Sequence, residues 1–165
     1  MMSSLDDLDR HLIAELAGAP RAGIMELARR LRVARGTVQS RLDKLVARGV
    51  VTGFGPDVDP KAMGYGVEAF TSIEIAQGRL EDVVEHLREI PEVLEVHATT
   101  GQADLHCRLV ARTNEHLQEV VNRILEVQGI DRTTTVIALT NQIPYRVLPL
   151  VGATGTRKRR RRSSR

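Results

Sequence analysis

The sequence predicts an α+β chain of two small domains, an N-terminal three-helix (winged) helix-turn-helix and a C-terminal ferredoxin-like βαββαβ unit. Three observations carry this. Apolar residues recur at helical spacing through three short segments before residue 48. From residue 67 the spacing changes to two, and the strand pattern then alternates with two amphipathic helices in the order βαββαβ. A chain of 165 residues holds one domain of ordinary size or two small ones. Their cores must be aliphatic, because 42% of the residues are apolar but only 2% are aromatic.

Asp6 reads as the N-cap of the first helix. Asp9 follows three residues on, Leu5, Leu8, Leu12, Ile13 and Leu16 keep helical spacing, and Gly18-Ala19-Pro20 ends the segment. A short second helix is expected from about Ile24 to Arg30, with Leu27, Ala28 and Leu31 inward. A turn at Arg32-Val33 leads to a third helix from about Ala34 to Arg48. Its inner stripe is Val38, Leu42, Leu45 and Val46, and Gly49 closes it. Residues 50–55 have strand character, which completes a first domain over 1–55. The Pro-, Asp- and Gly-rich stretch 56–66 is a linker.

The second domain is expected over 67–145. Val67, Ala69, Thr71, Ile73 and Ile75 alternate with Glu68, Phe70, Ser72 and Glu74, as in a half-buried strand. Leu80, Val83, Val84, Leu87 and Ile90 mark a helix stopped by Pro91. Strands follow at Val93–Thr100 and Asp104–Val110, across a Gly101-Gln102-Ala103 turn. Leu117, Val120, Val121, Ile124 and Leu125 mark another helix, and Ile130–Leu139 the last strand. Both helices belong on one sheet face. The other face also carries apolar residues, and a second subunit is the economical cover.

Charge is unevenly placed. Residues 152–165 hold seven basic side chains and no acid, are low in complexity, and are expected to be a disordered basic tail. The remainder has 17 basic against 21 acidic residues, so the net charge of +3 is set by the tail. Between Arg29 and Arg48 seven basic residues face only Asp43, a local +6. Cys107 is the single cysteine, which excludes an intrachain disulfide framework. There is no membrane-length apolar run, and the N-terminus has no secretory pattern. These features are those expected of a cytoplasmic protein.

A short helix, a tight turn and a longer basic helix suit insertion into the major groove of double-stranded DNA. With Val38, Leu42 and Leu45 inward, Arg35, Gly36, Thr37, Gln39 and Ser40 emerge near the N-terminal end. There Arg35 suits guanine and Gln39 suits adenine. Arg41, Lys44 and Arg48 lie further along and suit phosphate contacts. The tail is either a solvated extension or an arm that strengthens DNA binding by counterion release.

These segments together resemble the Lrp/AsnC (feast/famine) transcriptional regulators from Leu5 to about Pro144. The resemblance rests on Leu5-Asp6-Asp7-Leu8-Asp9, Glu26-Leu27-Ala28, Thr37-Val38-Gln39-Ser40-Arg41-Leu42 and Gly49-Val50-Val51-Thr52-Gly53-Phe54. Beyond the linker it rests on Gly64, Ile90-Pro91-Glu92-Val93, Thr100-Gly101-Gln102-Ala103-Asp104, Gly129-Ile130 and Thr133-Thr134-Thr135-Val136. It implies a ligand-modulated, sequence-specific regulator that forms a homodimer through its sheets, with tetramers or octamers beyond. It also implies an amino-acid or related effector held by Thr100, Gly101, Gln102, Ala103, Asp104, Thr133 and Thr135. Asp104 suits an ammonium and the threonines a carboxylate. The family usually has Ser or Thr where Gly23 and Ala34 stand, so two side-chain N-caps are lost, at about 1 kcal/mol for Ala34 and less for Gly23. Where Ala103 stands the family often carries an aromatic residue.

Two other readings use the same architecture. One is a nucleoid-type architectural protein that binds DNA without an effector. The other, less favoured, is an enzyme similar to the sirohaem decarboxylases, against which the basic third helix argues. No nucleophile–base–acid set or phosphate-cradling glycine loop occurs, so neither catalysis nor a cofactor is expected. His97, His106 and Cys107 fall on neighbouring strands, and a hairpin at Gly101-Gln102-Ala103 would bring His97 near Cys107, but metal binding needs a third ligand and an open geometry, and no metal is expected.

Overall fold

The structure, a computed structural model, describes residues 5–153. Its elements in chain order are α1 (Asp7–Gly18), α2 (Ile24–Leu31), α3 (Arg35–Ala47), β1 (Val67–Ile75), α4 (Leu80–Arg88), β2 (Val93–Ala98), β3 (Leu105–Ala111), α5 (Asn114–Ile124), β4 (Ile130–Ala138) and α6 (Leu148–Ala153). They form two compact units, one of residues 5–56 with 144–153, the other of residues 57–143.

In the first unit α1 opens with a reciprocal capping box. The Asp9 N–H donates to Asp6 Oδ1 at 2.8 Å, and the Asp6 N–H donates to Asp9 Oδ2 at 3.2 Å. Leu12, Leu27, Val38, Leu42 and Leu45 then bury the inner stripes of three helices in one cluster, with Leu5, Leu16, Leu31 and Val51 at its margin. This is the stripe that the helical spacing predicts. Val46 is the exception. At 44% exposed it lies outside the cluster, since it follows Leu45 by only 100° of helix turn. Gly23 and Ala34 make no side-chain cap, as their side chains dictate.

Two expectations require correction. Residues 50–55 form no strand; Val50 and Val51 instead send their N–H groups to Leu45 O, wrapping the chain over the end of α3. The wing is therefore absent among the described residues. Gly152 and Ala153 are not tail but the end of α6, whose Leu148, Val151 and Gly152 lie along Asp7, Arg10, His11 and Ala14 of α1. The rest of the expected tail lies outside the described residues.

The second unit is a four-stranded antiparallel sheet of order β2-β3-β1-β4. Ala69, Thr71 and Ile73 of β1 share a face with Leu105, Cys107 and Leu109 of β3. That face is sealed by Val83 and Leu87 of α4 and by Leu117, Val120 and Ile124 of α5. Burial pushes the Cys107 thiol up to about 11, so it stays protonated and packs as a small apolar group. Gly129 joins α5 to β4 at φ +105°, and a Cβ there would come 2.6 Å from the Arg79 Cβ, so only glycine fits.

Candidate nucleic-acid interface and effector site

The turn before α3 is set by Arg32, which takes the left-handed conformation (φ 55°) and lets the Val33 N–H reach Ala28 O at 3.1 Å. Because Val38, Leu42 and Leu45 are buried, the opposite side of α3 must face outward. Gly36, Gln39, Ser40, Asp43, Lys44 and Ala47 form one shallow exposed strip there. Arg35 and Thr37 are exposed at its N-terminal end and Arg48 at its C-terminal end. Of the predicted DNA-contacting residues, Arg35, Thr37, Gln39, Ser40, Lys44 and Arg48 are thus exposed on or beside a single helix.

Arg41 departs from this. It points back toward α1, where Nη1 donates to Asp9 Oδ1 at 3.1 Å and to Asp6. The guanidinium expected to meet DNA phosphates is paired with these two carboxylates while 34% of its side chain stays exposed. The same holds upstream. Glu26 accepts from Arg29 at 2.7 Å and Arg30 at 2.7 Å, and those two hydrogen bonds bring its carboxyl down to about 2. Three of the seven basic side chains counted along Arg29–Arg48, namely Arg29, Arg30 and Arg41, are thus paired with carboxylates of the same unit. Arg35 and Lys44 form no ion pair among the described residues.

Asp43 was not among the expected site residues. It accepts from Gln39 Nε2 at 2.8 Å, which orients the amide along the helix. The signal was the spacing of four, which stacks the two side chains.

In the second unit the expected effector residues gather at one end of the sheet, with Thr135 one step inward. The β2–β3 loop closes as Thr99 Oγ1 donates to Ala103 O at 2.9 Å and the Thr99 N–H to Asp104 O at 2.9 Å. Gly101 at φ +121° makes the reversal, leaving Thr100, Gly101 and Gln102 exposed. Asp104 Oδ2 accepts the Ile75 N–H at 2.7 Å, so this carboxylate fastens the loop to β1. Across β1, Ile73 pairs with both Leu105 and Thr133, which puts Thr133 at the same end of the sheet. Thr135 lies opposite the fully buried Thr71, with hydroxyls 2.8 Å apart.

The AsnC-type helix-turn-helix domain matches residues 5–46 and the Lrp/AsnC ligand binding domain residues 68–148. The regulatory protein AsnC of Escherichia coli K12 is 33% identical over 147 residues, 88% of this chain and 97% of its own. The chain belongs to the Lrp/AsnC family.

Another relative, the transcriptional regulator FL11 of Pyrococcus horikoshii, is 29% identical over 150 residues, covering 91% of this chain and 99% of FL11. The solved structure of E. coli AsnC agrees with a TM-score of 0.82 at 32% identity, over 89% of this chain and all (100%) of that one. The leucine response regulatory protein of Mycobacterium tuberculosis has a TM-score of 0.71 at 31% identity, over 84% of this chain and 95% of its own. As an Lrp/AsnC protein the chain is a transcriptional regulator, not an enzyme, with a helix-turn-helix DNA-binding domain and a ligand-binding domain. No helix of the described residues is long and apolar enough to cross a membrane.

Proposed function

We propose that this Lrp/AsnC protein binds discrete, roughly palindromic operators through α3, and that an amino acid or related metabolite adjusts that binding. The carrying observation is the exposed strip of α3, where Arg35, Thr37, Gln39 and Ser40 offer base-reading groups and Lys44 and Arg48 offer phosphate contacts. Asp104 supports an amino-acid effector. One carboxylate oxygen holds Ile75, and the other is left to meet an ammonium beside Thr100, Gly101, Gln102 and Ala103. Thr133 and Thr135 supply hydroxyls from the adjoining strand. That a relative is named for its leucine response agrees with this class of ligand.

The protein acts as a homodimer or a higher assembly, a tetramer or octamer, on double-stranded DNA at the nucleoid in the cytoplasm. Support comes from the sheet face away from α4 and α5. There Phe70 stacks on His106 with ring centroids 5.9 Å apart, and Val136 is 58% exposed. Twofold symmetry in the protein then requires symmetry in the operator.

The test is selection of genomic fragments by the purified full chain at physiological salt, with and without a pool of amino acids. Enrichment of discrete sites sharing a symmetric motif, altered by the pool, is the expected result. Uniform enrichment makes the protein an architectural DNA binder, and absence of binding removes the DNA-reading role.

A further inference from the structure

The proposed effector site offers an amino acid's ammonium the Asp104 carboxylate, but the residues assigned to it include no cation for the amino acid's own carboxylate. The two threonines do not make up for this. The Thr135 hydroxyl already lies 2.8 Å from that of Thr71, which leaves Thr133 alone to meet a full negative charge. Burying a charge is costly unless it is paired as well as hydrogen-bonded, so the site calls for a cation nearby.

Arg79 stands there. It ends the loop that leaves β1, and its side chain lies across the backbone of Gly129. A Cβ at 129 would come 2.6 Å from Arg79 Cβ, 2.8 Å from its Cγ and 3.3 Å from its Nε, so the bare glycine is the bed on which Arg79 rests. The sheet fixes where that bed is. The Ala76 N–H donates to Gly129 O at 2.9 Å, and the Ile75 N–H donates to Asp104 Oδ2 at 2.7 Å. Gly129 leads into β4 and Asp104 into β3, and these two strands flank β1 on either side. Asp104 and Gly129 therefore bracket the end of β1, about two strand spacings or roughly 10 Å apart. A free α-amino acid suits that span. Its ammonium and carboxylate lie about 3 Å apart, and a hydrogen bond of about 3 Å at each end brings the reach to about 9 Å.

The Arg79 guanidinium is also underused. Its Nε is buried 3.2 Å from Asp82 Oδ2 without a hydrogen bond to it, and Nη2 reaches Gln128 O only at 3.4 Å. Nη1 makes no hydrogen bond among the described residues. The other cation at this end of the sheet is Arg132, next to Thr133. Arg132 is in register with Glu74, whereas Thr133 is in register with the buried Ile73, so alternation puts Arg132 on the face away from α4, the helix that Arg79 precedes.

We propose that Arg79 is the carboxylate-binding residue of the effector site, set across the end of β1 from Asp104, and that the pair selects free α-amino acids, with both the ammonium and the carboxylate unblocked. This rests on the amino-acid reading of Asp104.

The full chain is titrated by calorimetry with each of the twenty standard L-amino acids, then with the α-carboxamide of the one that binds tightest. The carboxamide keeps the ammonium and the side chain but has no carboxylate, and the parent should bind it about tenfold or more weakly. Arg79→Gln should lose about tenfold for the amino acid yet bind the carboxamide as the parent does, so that it no longer distinguishes them. Arg132→Gln removes an equal charge nearby and should keep the parent's preference. Asp104→Asn should weaken amino acid and carboxamide alike, since both carry the ammonium. An Arg79→Gln chain that prefers the amino acid by the parent's factor would overturn the proposal. Equal weakening toward both ligands would overturn it too, as the sign of a disturbed loop, and loss of the preference in Arg132→Gln would give the carboxylate to that residue instead. If the parent binds none of the twenty, the amino-acid reading itself has failed and the role of Arg79 falls with it.

Discussion

Arg41 of α3 donates to Asp9 of α1 at 3.1 Å, and the same nitrogen also donates to Asp6, the cap of that helix. The recognition helix is thereby fixed to the capping box. Asp9 is only 4% exposed, so its carboxylate depends on this cation. The Asp6 carboxyl lies below its ordinary value, first through the Asp9 N–H, with partial burial opposing and Arg41 adding to the fall.

Arg41→Ala is accordingly expected to destabilise the fold by about 1–3 kcal/mol in urea unfolding, the cost of leaving a buried acceptor without its donor. Arg41→Lys should recover only part, because a single ammonium bridges two carboxylates less well than a planar guanidinium. The salt slope of DNA binding should stay close to the parent's. A drop of about 0.9 in slope with unchanged stability would restore the phosphate role that the sequence suggested.

Gln39 and Lys44 share the exposed strip yet should fail differently. Gln39→Ala removes an amide suited to a base edge, so selection from a random library should show relaxed preference at particular positions, worth about 1–3 kcal/mol there. Asp43→Ala should do less, since it frees the Gln39 amide without removing it. Lys44→Ala should weaken all sequences alike and lower the salt slope by about 0.9. Equal loss of sequence preference in both variants would contradict this division.

What the sequence made legible was periodicity. The bounds of β1, the inner stripes of α1–α3 and the βαββαβ order follow from spacings of two and of three to four, which report which face is buried. What it concealed depends on contacts between distant residues. Arg41 and Asp9 lie 32 positions apart, so their pairing has no local signature. Residues 50–55 have strand-forming side chains but no neighbouring strand, and strand propensity without a partner builds nothing. The stripe of α6 was visible as Leu148 and Val151, but two apolar residues are too few to separate a helix from a loop.

Asp104 has two separable duties. Its Oδ2 accepts the Ile75 N–H at 2.7 Å, whereas an amino-acid ammonium needs the carboxylate charge. Asp104→Asn keeps an acceptor oxygen and should hold thermal stability near the parent's while losing amino-acid binding in calorimetry. Asp104→Ala should lose binding as well as about 1 kcal/mol of stability. If the Asn variant binds amino acids as the parent does, the ammonium is met elsewhere.

Glu92 predicts the acid limit of the ligand-binding unit. It is 9% exposed, accepts from Arg123 Nη2 at 2.6 Å and lies 3.2 Å from His116 Nε2, tying the start of β2 to α5. Burial acts to raise its carboxyl. The Arg123 hydrogen bond, its own backbone N–H and the nearby positive charges outweigh that and hold it below its ordinary 4.5. A carboxyl more acidic in the folded chain than in the unfolded one stabilises the fold wherever it is ionised, above about 4.5. That contribution must fade as the pH falls through its lower folded value. Thermal midpoints measured from pH 7 to pH 3 should therefore hold above about 5 and decline below it. Glu92→Gln keeps the shape and an acceptor for Arg123 but has no proton to gain. Its midpoint should be lower than the parent's at neutral pH, and the gap should narrow toward pH 3. A gap that stays constant across that range would mean the acid sensitivity arises from other carboxylates, and that Glu92 holds α5 by shape alone.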